Sequence, residues 1–191
     1  YAALRSGAGM VTLACPAAAL MMYASACRSV LVAGVESCEA LLERVQQRQV
    51  RAVAIGSGNG ISKALSERVL TLLKQPALGT VLDADALTSF APNPSALYQA
   101  LHARAILTPH EGEFRSLFPA LTGTRIERAV AAARQTGAVV VLKGAHSVIA
   151  APDGRVSINR HSAPSLATAG SGDVLAGILA GLAAQGMPAF E

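Results

Sequence analysis

The run Ala167-Thr168-Ala169-Gly170-Ser171-Gly172-Asp173 sets two glycines, two hydroxyls and a carboxylate directly ahead of an uncharged helical stretch. Consecutive small residues let backbone N–H groups point at an anion, and the positive end of the following helix adds to the attraction. Capping that helix is the commonest job of an aspartate so placed. Two glycines and two hydroxyls exceed what a cap needs, however, and leave space for a bound phosphate. Asp173 therefore reads as a catalytic or ligand-contacting carboxylate ahead of a mere cap.

Three other segments carry comparable chemistry. Thr108-Pro109-His110-Glu111-Gly112-Glu113 puts an imidazole and two carboxylates within one turn. An ordinary helix start would use an early proline and acids in its first turn. The functional reading gives His110 a ligand-orienting role and Glu113 a hold, through water, on a magnesium ion; Glu111 is expected to face solvent. Lys143-Gly144-Ala145-His146-Ser147 supplies a cation, a glycine and a hydroxyl suited to nucleotide phosphate or ribose, or alternatively a hairpin lead-in. Gly56-Ser57-Gly58-Asn59-Gly60 is a glycine-rich turn whose third glycine falls one position early for the dinucleotide fingerprint. It is balanced between a tight turn and a phosphate or ring contact. Of the neighbouring acids, Asp85 reads as structural and Asp83 stays open.

These segments share a position, the ends of short apolar runs. Val11–Ala14, Val30–Ala33, Ala52–Ile55, Val81–Asp83, Ala105–Leu107 and Val139–Leu142 have the β-branched, near-continuous apolar character of buried strands. Helical patterns over 17–27, 37–48, 61–74, 95–103, 111–118 and 125–136 lie between them. Ser147–Ala151 and Arg155–Asn159 read as two strands about the turn Pro152-Asp153-Gly154, and a small-residue helix follows from Ser171 to Gln185. The alternation predicts one α/β domain with a mostly parallel sheet and helices on both faces. Ligands of such sheets bind beyond the C-terminal strand ends, so four polar or glycine-rich strand ends would converge on one rim.

Composition narrows the function classes. Of 191 residues, 52% are hydrophobic and 15% charged, which excludes a disordered or tail-like chain. The net charge of +4 suits anionic small molecules but is too small to argue for nucleic acid. Arg44, Arg48 and Arg51 make the nearest approach to a basic cluster, without interleaved aromatics. Cys15, Cys27 and Cys38 are odd in number and lack C-x-x-C spacing, so neither a disulfide framework nor a zinc site is expected and a reducing cytoplasm is. The uncharged stretch Ser6–Cys27 is interrupted by Gly7, Gly9, Thr12, Pro16 and Ser25, against a membrane span.

Taken together, Arg5–Thr12, Gly56–Gly60, Thr108–Glu113, Lys143–Ser147 and Ala167–Gly177 resemble, in order and spacing, the ADP/ATP-dependent NAD(P)H-hydrate dehydratases. The likeness runs across nearly the whole chain, with Leu166–Gly181 its most specific block. It implies a ribokinase-like fold and a coenzyme-repair reaction in which a phosphoryl group from ADP or ATP activates the ring hydroxyl of (6S)-NAD(P)H-hydrate. Phosphate then leaves to restore NADH or NADPH. By the same likeness Asp173 is the general base, Gly170, Ser171 and Gly172 form the anion hole, and Gly58, His110 and Asp173 contact the hydrated coenzyme. Lys143, Gly144, Ala145, His146, Ser147 and Gly172 contact the nucleotide, and Mg2+ is expected. The likeness also implies a homo-oligomer (a tetramer in the family) and an epimerase, fused or separate. A further strand and loop before Tyr1 and helices after Glu191 are expected, with 1–191 as a single dehydratase core domain. Departures from the family pattern are Ser57 and Asn59 in the first turn, Glu111 where proline is frequent, and Ser162-Ala163 where Gly-Asn is frequent. Two rival readings remain, a ribokinase-like kinase of a vitamin precursor and a non-catalytic nucleotide-binding module.

Overall fold

The computed structural model describes residues 1–161 and 163–191; Ser162 of the departing pair lies outside them. Among the described residues eight strands form: β1 (Thr12–Cys15), β2 (Leu31–Gly34), β3 (Ala52–Ile55), β4 (Gly79–Leu82), β5 (Ala105–Leu107), β6 (Val139–Leu142), β7 (Ser147–Ala150) and β8 (Val156–Asn159). The helices are α1 (Ala2–Arg5), α2 (Leu20–Ala26), α3 (Cys38–Gln47), α4 (Lys63–Leu73), α5 (Asp85–Thr88), α6 (Pro94–Ala100), α7 (Glu111–Leu117), α8 (Arg125–Thr136) and α9 (Ser171–Ala184). No helix among the described residues is long and apolar enough to cross a membrane.

Strands β3 to β8 make one six-stranded sheet in simple sequence order. Its first four strands run parallel, β7 is antiparallel to β6, and β8 is antiparallel to β7. β1 and β2 pair with each other in a separate two-stranded parallel sheet rather than joining the main one. Apolar runs disclose that a strand is buried but not which strand it pairs with. Only Cys15 and Ala33 of this pair are buried, whereas every residue of β4, β5 and β6 is.

Period-two alternation divides the central sheet into two faces. Leu82, Leu107, Val140 and Leu142 point to the larger core, filled by Leu65, Val69, Leu87, Leu97, Phe114 and alanines of α8. Val81, Ile106, Val139 and Val141 point the other way, onto Ala176 and Ala180 of α9. Phe118 stacks on Tyr98 with ring centroids 5.2 Å apart and lies 4.9 Å from Phe114. The Tyr98 hydroxyl donates to the Leu117 carbonyl. These aromatics fix α7, and with it the turn that carries His110. α8 starts on a reciprocal cap, in which Thr124 Oγ1 accepts from the Glu127 amide and Glu127 accepts from the Thr124 amide.

Candidate active site

Because β3 to β6 are parallel neighbours, their C-terminal ends share one rim, and their polar ends are laced together there. Asp83, directly after β4, is 3% exposed. Its amide donates to the Ile55 carbonyl at 3.2 Å, and its Oδ1 accepts from Lys143 Nζ at 2.6 Å. Lys143 follows β6, and its own amide donates to the Pro109 carbonyl at 2.8 Å. Thr108 is buried, with its amide and hydroxyl both donating to the Leu82 carbonyl. The first turn of α9 lands on this assembly: a Cβ on Gly172 would sit 3.4 Å from Lys143 Nζ and 3.6 Å from Asp83 Oδ2.

The glycine turn after β3 is held from the same direction. A Cβ on Gly56 would lie 1.7 Å from the Asp83 carbonyl oxygen, so only glycine lets the two chains pass. Asn59 Oδ1 accepts from the Gly56 amide at 3.0 Å, which gives this departure from the family pattern a local structural task. Asp85 Oδ2 accepts from the Gly60 amide at 2.8 Å, the structural role expected of it. Gly58 is exposed at the tip, with open space around it.

α9 begins on Gly170, whose left-handed backbone (φ 87°) forms the cap without any side-chain hydrogen bond. Ser171 turns its hydroxyl to the Thr168 carbonyl at 2.9 Å and its amide to the same oxygen at 3.3 Å. The amides of Gly172 and Asp173 donate to no acceptor among the described residues. Asp173 stands third in the helix, exposed and without a hydrogen bond among the described residues, so it is not the cap.

His110 takes a more local position than expected. Its Nδ1 accepts from the Gly112 and Glu113 amides at 3.0 and 3.1 Å, which makes the imidazole the N-cap of α7 and leaves its proton on Nε2. Glu113 completes the cap by accepting from the His110 amide at 2.7 Å, and its other oxygen lies 3.3 Å from His110 Nε2. Both oxygens of Glu113 are thus turned to His110. Among the described residues no three His, Cys, Asp or Glu side chains gather as a metal cluster.

The expectation that Glu111 faces solvent is overturned. Its carboxylate accepts from Arg128 Nη1 at 2.7 Å, Arg125 Nη1 at 3.1 Å and Arg115 Nε at 3.2 Å. The Arg128 hydrogen bond holds the Glu111 carboxyl below the usual carboxylate range; partial burial opposes this, and the charges of Arg128, Arg125 and Arg115 add to it. Arg125 reaches further, its Nη2 donating to the Leu142 and Lys143 carbonyls at 3.1 and 3.0 Å. Beyond them the Ser147 hydroxyl closes the turn on the Gly144 amide and carbonyl, leaving Gly144, Ala145 and His146 exposed. The sequence reading did not single out Arg125, Arg128 or the Asp83 pairing. One signal for Arg125 was present, because a cation at the first position of a helix opposes the dipole and needs another reason to stand there.

A family model described as NAD(P)H-hydrate dehydratase matches residues 1–191. A bifunctional NAD(P)H-hydrate repair enzyme of Moorella thermoacetica is 41% identical over 200 residues, covering 97% of this chain and 37% of that protein. The chain thus spans little more than a third of that relative's length. Among solved structures, a ribokinase-like superfamily protein of Enterococcus faecalis superposes with a TM-score of 0.78 at 25% identity, over 96% of this chain and 64% of that one. An ADP/ATP-dependent NAD(P)H-hydrate dehydratase of Bacillus subtilis, co-crystallised with ATP/Mg2+, gives 0.73 at 26% identity, over 96% and 65%. The fold is ribokinase-like, and the chain belongs to the NAD(P)H-hydrate dehydratase family.

Proposed function

We propose that this chain carries a nucleotide-dependent dehydratase site that returns (6S)-NAD(P)H-hydrate to NADH or NADPH. The observation that carries the reading is the seating of the α9 N-terminus on the pair of buried Asp83 and half-buried Lys143, with the Asp173 carboxylate exposed and unengaged among the described residues. Asp173 takes the proton of the ring hydroxyl as that oxygen attacks the terminal phosphorus of ADP or ATP. The terminal P–O bond of the nucleotide breaks, and the Gly172 amide, which has no acceptor among the described residues, faces the charge on the transferred group as a member of the Gly170–Gly172 anion hole. The ring nitrogen lone pair then expels phosphate by breaking the C–O bond, and loss of the neighbouring ring C–H proton restores the double bond. Hydroxide is a poor leaving group and phosphate a good one, which is why a phosphoryl donor is needed.

In this reading Lys143 to Ser147 cradle the nucleotide, and Gly58 and the His110 ring meet the hydrated coenzyme. The carboxylates of Asp83, Glu111 and Glu113 are already committed to Lys143, the arginines and His110. Magnesium accordingly enters on the nucleotide phosphates, with water completing its shell, rather than on a protein cluster. Residues 1–191 act as one dehydratase domain of a homo-oligomer. The bifunctional description of the Moorella relative fits an epimerase fused to, or working beside, such a domain. The cysteines Cys15, Cys27 and Cys38, all free thiols, fit a cytoplasmic setting.

The test is recovery of the reduced-nicotinamide absorbance when the complete protein meets hydrated NADH, Mg2+ and ADP or ATP. Asp173→Asn should lower kcat by about 100-fold or more, while nucleotide affinity stays within a few-fold. A stable phosphate ester as product would favour a kinase instead. Unchanged activity in Asp173→Asn would remove the carboxylate from the mechanism.

A further inference from the structure

Arg125 stands at the first position of α8, where its charge opposes the helix dipole, yet both terminal nitrogens of its guanidinium are engaged elsewhere, while Nε is buried without a partner among the described residues. Nη2 is shared between the carbonyls of Leu142 and Lys143, the last residue of β6 and the first beyond it. Nη1 goes to Glu111. The guanidinium also presses on the next residue of the turn, since a Cβ on Gly144 would lie 2.7 Å from Nη2. Glu111 is itself fixed, because Arg128 binds its other oxygen at 2.7 Å while lying over the Phe114 ring with 5.4 Å to the centroid. Phe114 is one of the largest fully buried side chains, so the chain of contacts ends in the rigid core.

We infer that Arg125 is a positioning residue for the turn Lys143–Ser147, and that Glu111, through Arg125, ties this turn to the neighbouring His110 turn. The inference deepens the proposed function, on which it rests for the identity of the ligand. Where β6 ends, sheet hydrogen bonding no longer sets the course of the chain, and the Lys143 carbonyl needs a donor from elsewhere. A planar fork that takes two successive carbonyls and a carboxylate fixes both the place and the orientation of the peptide after Lys143. His110 and Glu111 are consecutive, so the same bracket sets the distance between the turn assigned to the hydrated coenzyme and the turn assigned to the nucleotide. Neither Arg125 nor Glu111 is required to touch a ligand for this.

Calorimetric titration of the complete protein with Mg·ADP and Mg·ATP tests the inference, using wild type, Arg125→Gln, Arg125→Lys and Glu111→Gln, together with the KM for hydrated NADH. Arg125→Gln should raise the nucleotide Kd about tenfold, the equivalent of one charge-assisted hydrogen bond. Arg125→Lys, which keeps one donor on the carbonyls, should recover part of that loss, and Glu111→Gln should give a smaller rise. The KM for the hydrated coenzyme should stay within about twofold in all three. Nucleotide binding by Arg125→Gln within twofold of wild type would overturn the inference and leave the dehydratase reading standing. Equal loss of nucleotide and coenzyme binding would mark a general structural role and overturn it too. Failure of the wild type to bind either nucleotide would overturn both. If Arg125→Gln does not fold, Arg125→Lys and Glu111→Gln decide by the same comparison.

Discussion

A carboxylate as enclosed as Asp83 is tolerated only while Lys143 Nζ stands 2.6 Å from it. Replacing Lys143 by Met would leave that charge buried without a partner and should cost about 3 kcal/mol in urea unfolding. Adding Asp83→Asn to the same chain should restore most of this, because the uncompensated charge is then gone. Glu111 makes a different prediction, read against pH. Its folded-state pKa is depressed from 4.5, first by the Arg128 hydrogen bond. A depressed carboxylate contributes its stability above the unfolded value and loses it as pH falls through the folded one. The thermal midpoint of the wild type should therefore fall more steeply than that of Glu111→Gln between about pH 5 and pH 3. These two residues also show what a single sequence withholds. Asp83 stayed open because its partner is 60 residues away. Glu111 looked solvent-facing because two of its three arginines come from another helix. That Asp173 is exposed and is not the helix cap, by contrast, agrees with the run of small residues adjacent to it in the chain.

Elements were legible where local pattern and burial agree. β3, β5 and β6 have the bounds that their apolar runs predicted, and α8 runs over the predicted 125–136. The separate β1–β2 sheet was not foreseen, because pairing is decided by tertiary fit. Nor was α1, four residues that lie against α9. That docking rests on two glycines of α9. A Cβ on Gly177 would lie 2.8 Å from Ala2 Cβ, and one on Gly181 would lie 2.7 Å from the Ala3 carbonyl oxygen. The helix-propensity gain of Gly→Ala, ~1 kcal/mol, opposes an overpacking cost of about 1–3 kcal/mol. Gly181→Ala should therefore destabilise the protein on balance, and limited proteolysis should find the Ala2–Arg5 segment released first.

At the scale of the molecule, the sequential order of β3 to β6 gathers four strand ends onto one rim. A nucleotide bound there engages only the folded state, so it should stabilise the whole chain. At a hundredfold excess over Kd the gain is about 2.7 kcal/mol, seen as a rise of several degrees in Tm with Mg·ADP or Mg·ATP. Lys143→Met should lose most of that rise. The same order has a second effect. Helices α4 to α8 line one side of the sheet, while the other side is closed by α9 together with Ala189 and Phe190. One helix thus seals the Val81, Ile106, Val139 and Val141 face at Ala176 and Ala180, and delivers Gly172 to the Asp83–Lys143 ion pair. In a library of random substitutions, cellular abundance and catalytic output would rise and fall together along this helix, parting company only at its exposed first turn. Genetic drift has little freedom along such an element, since an inherited change that shifts the helix compromises solubility and chemistry at one stroke.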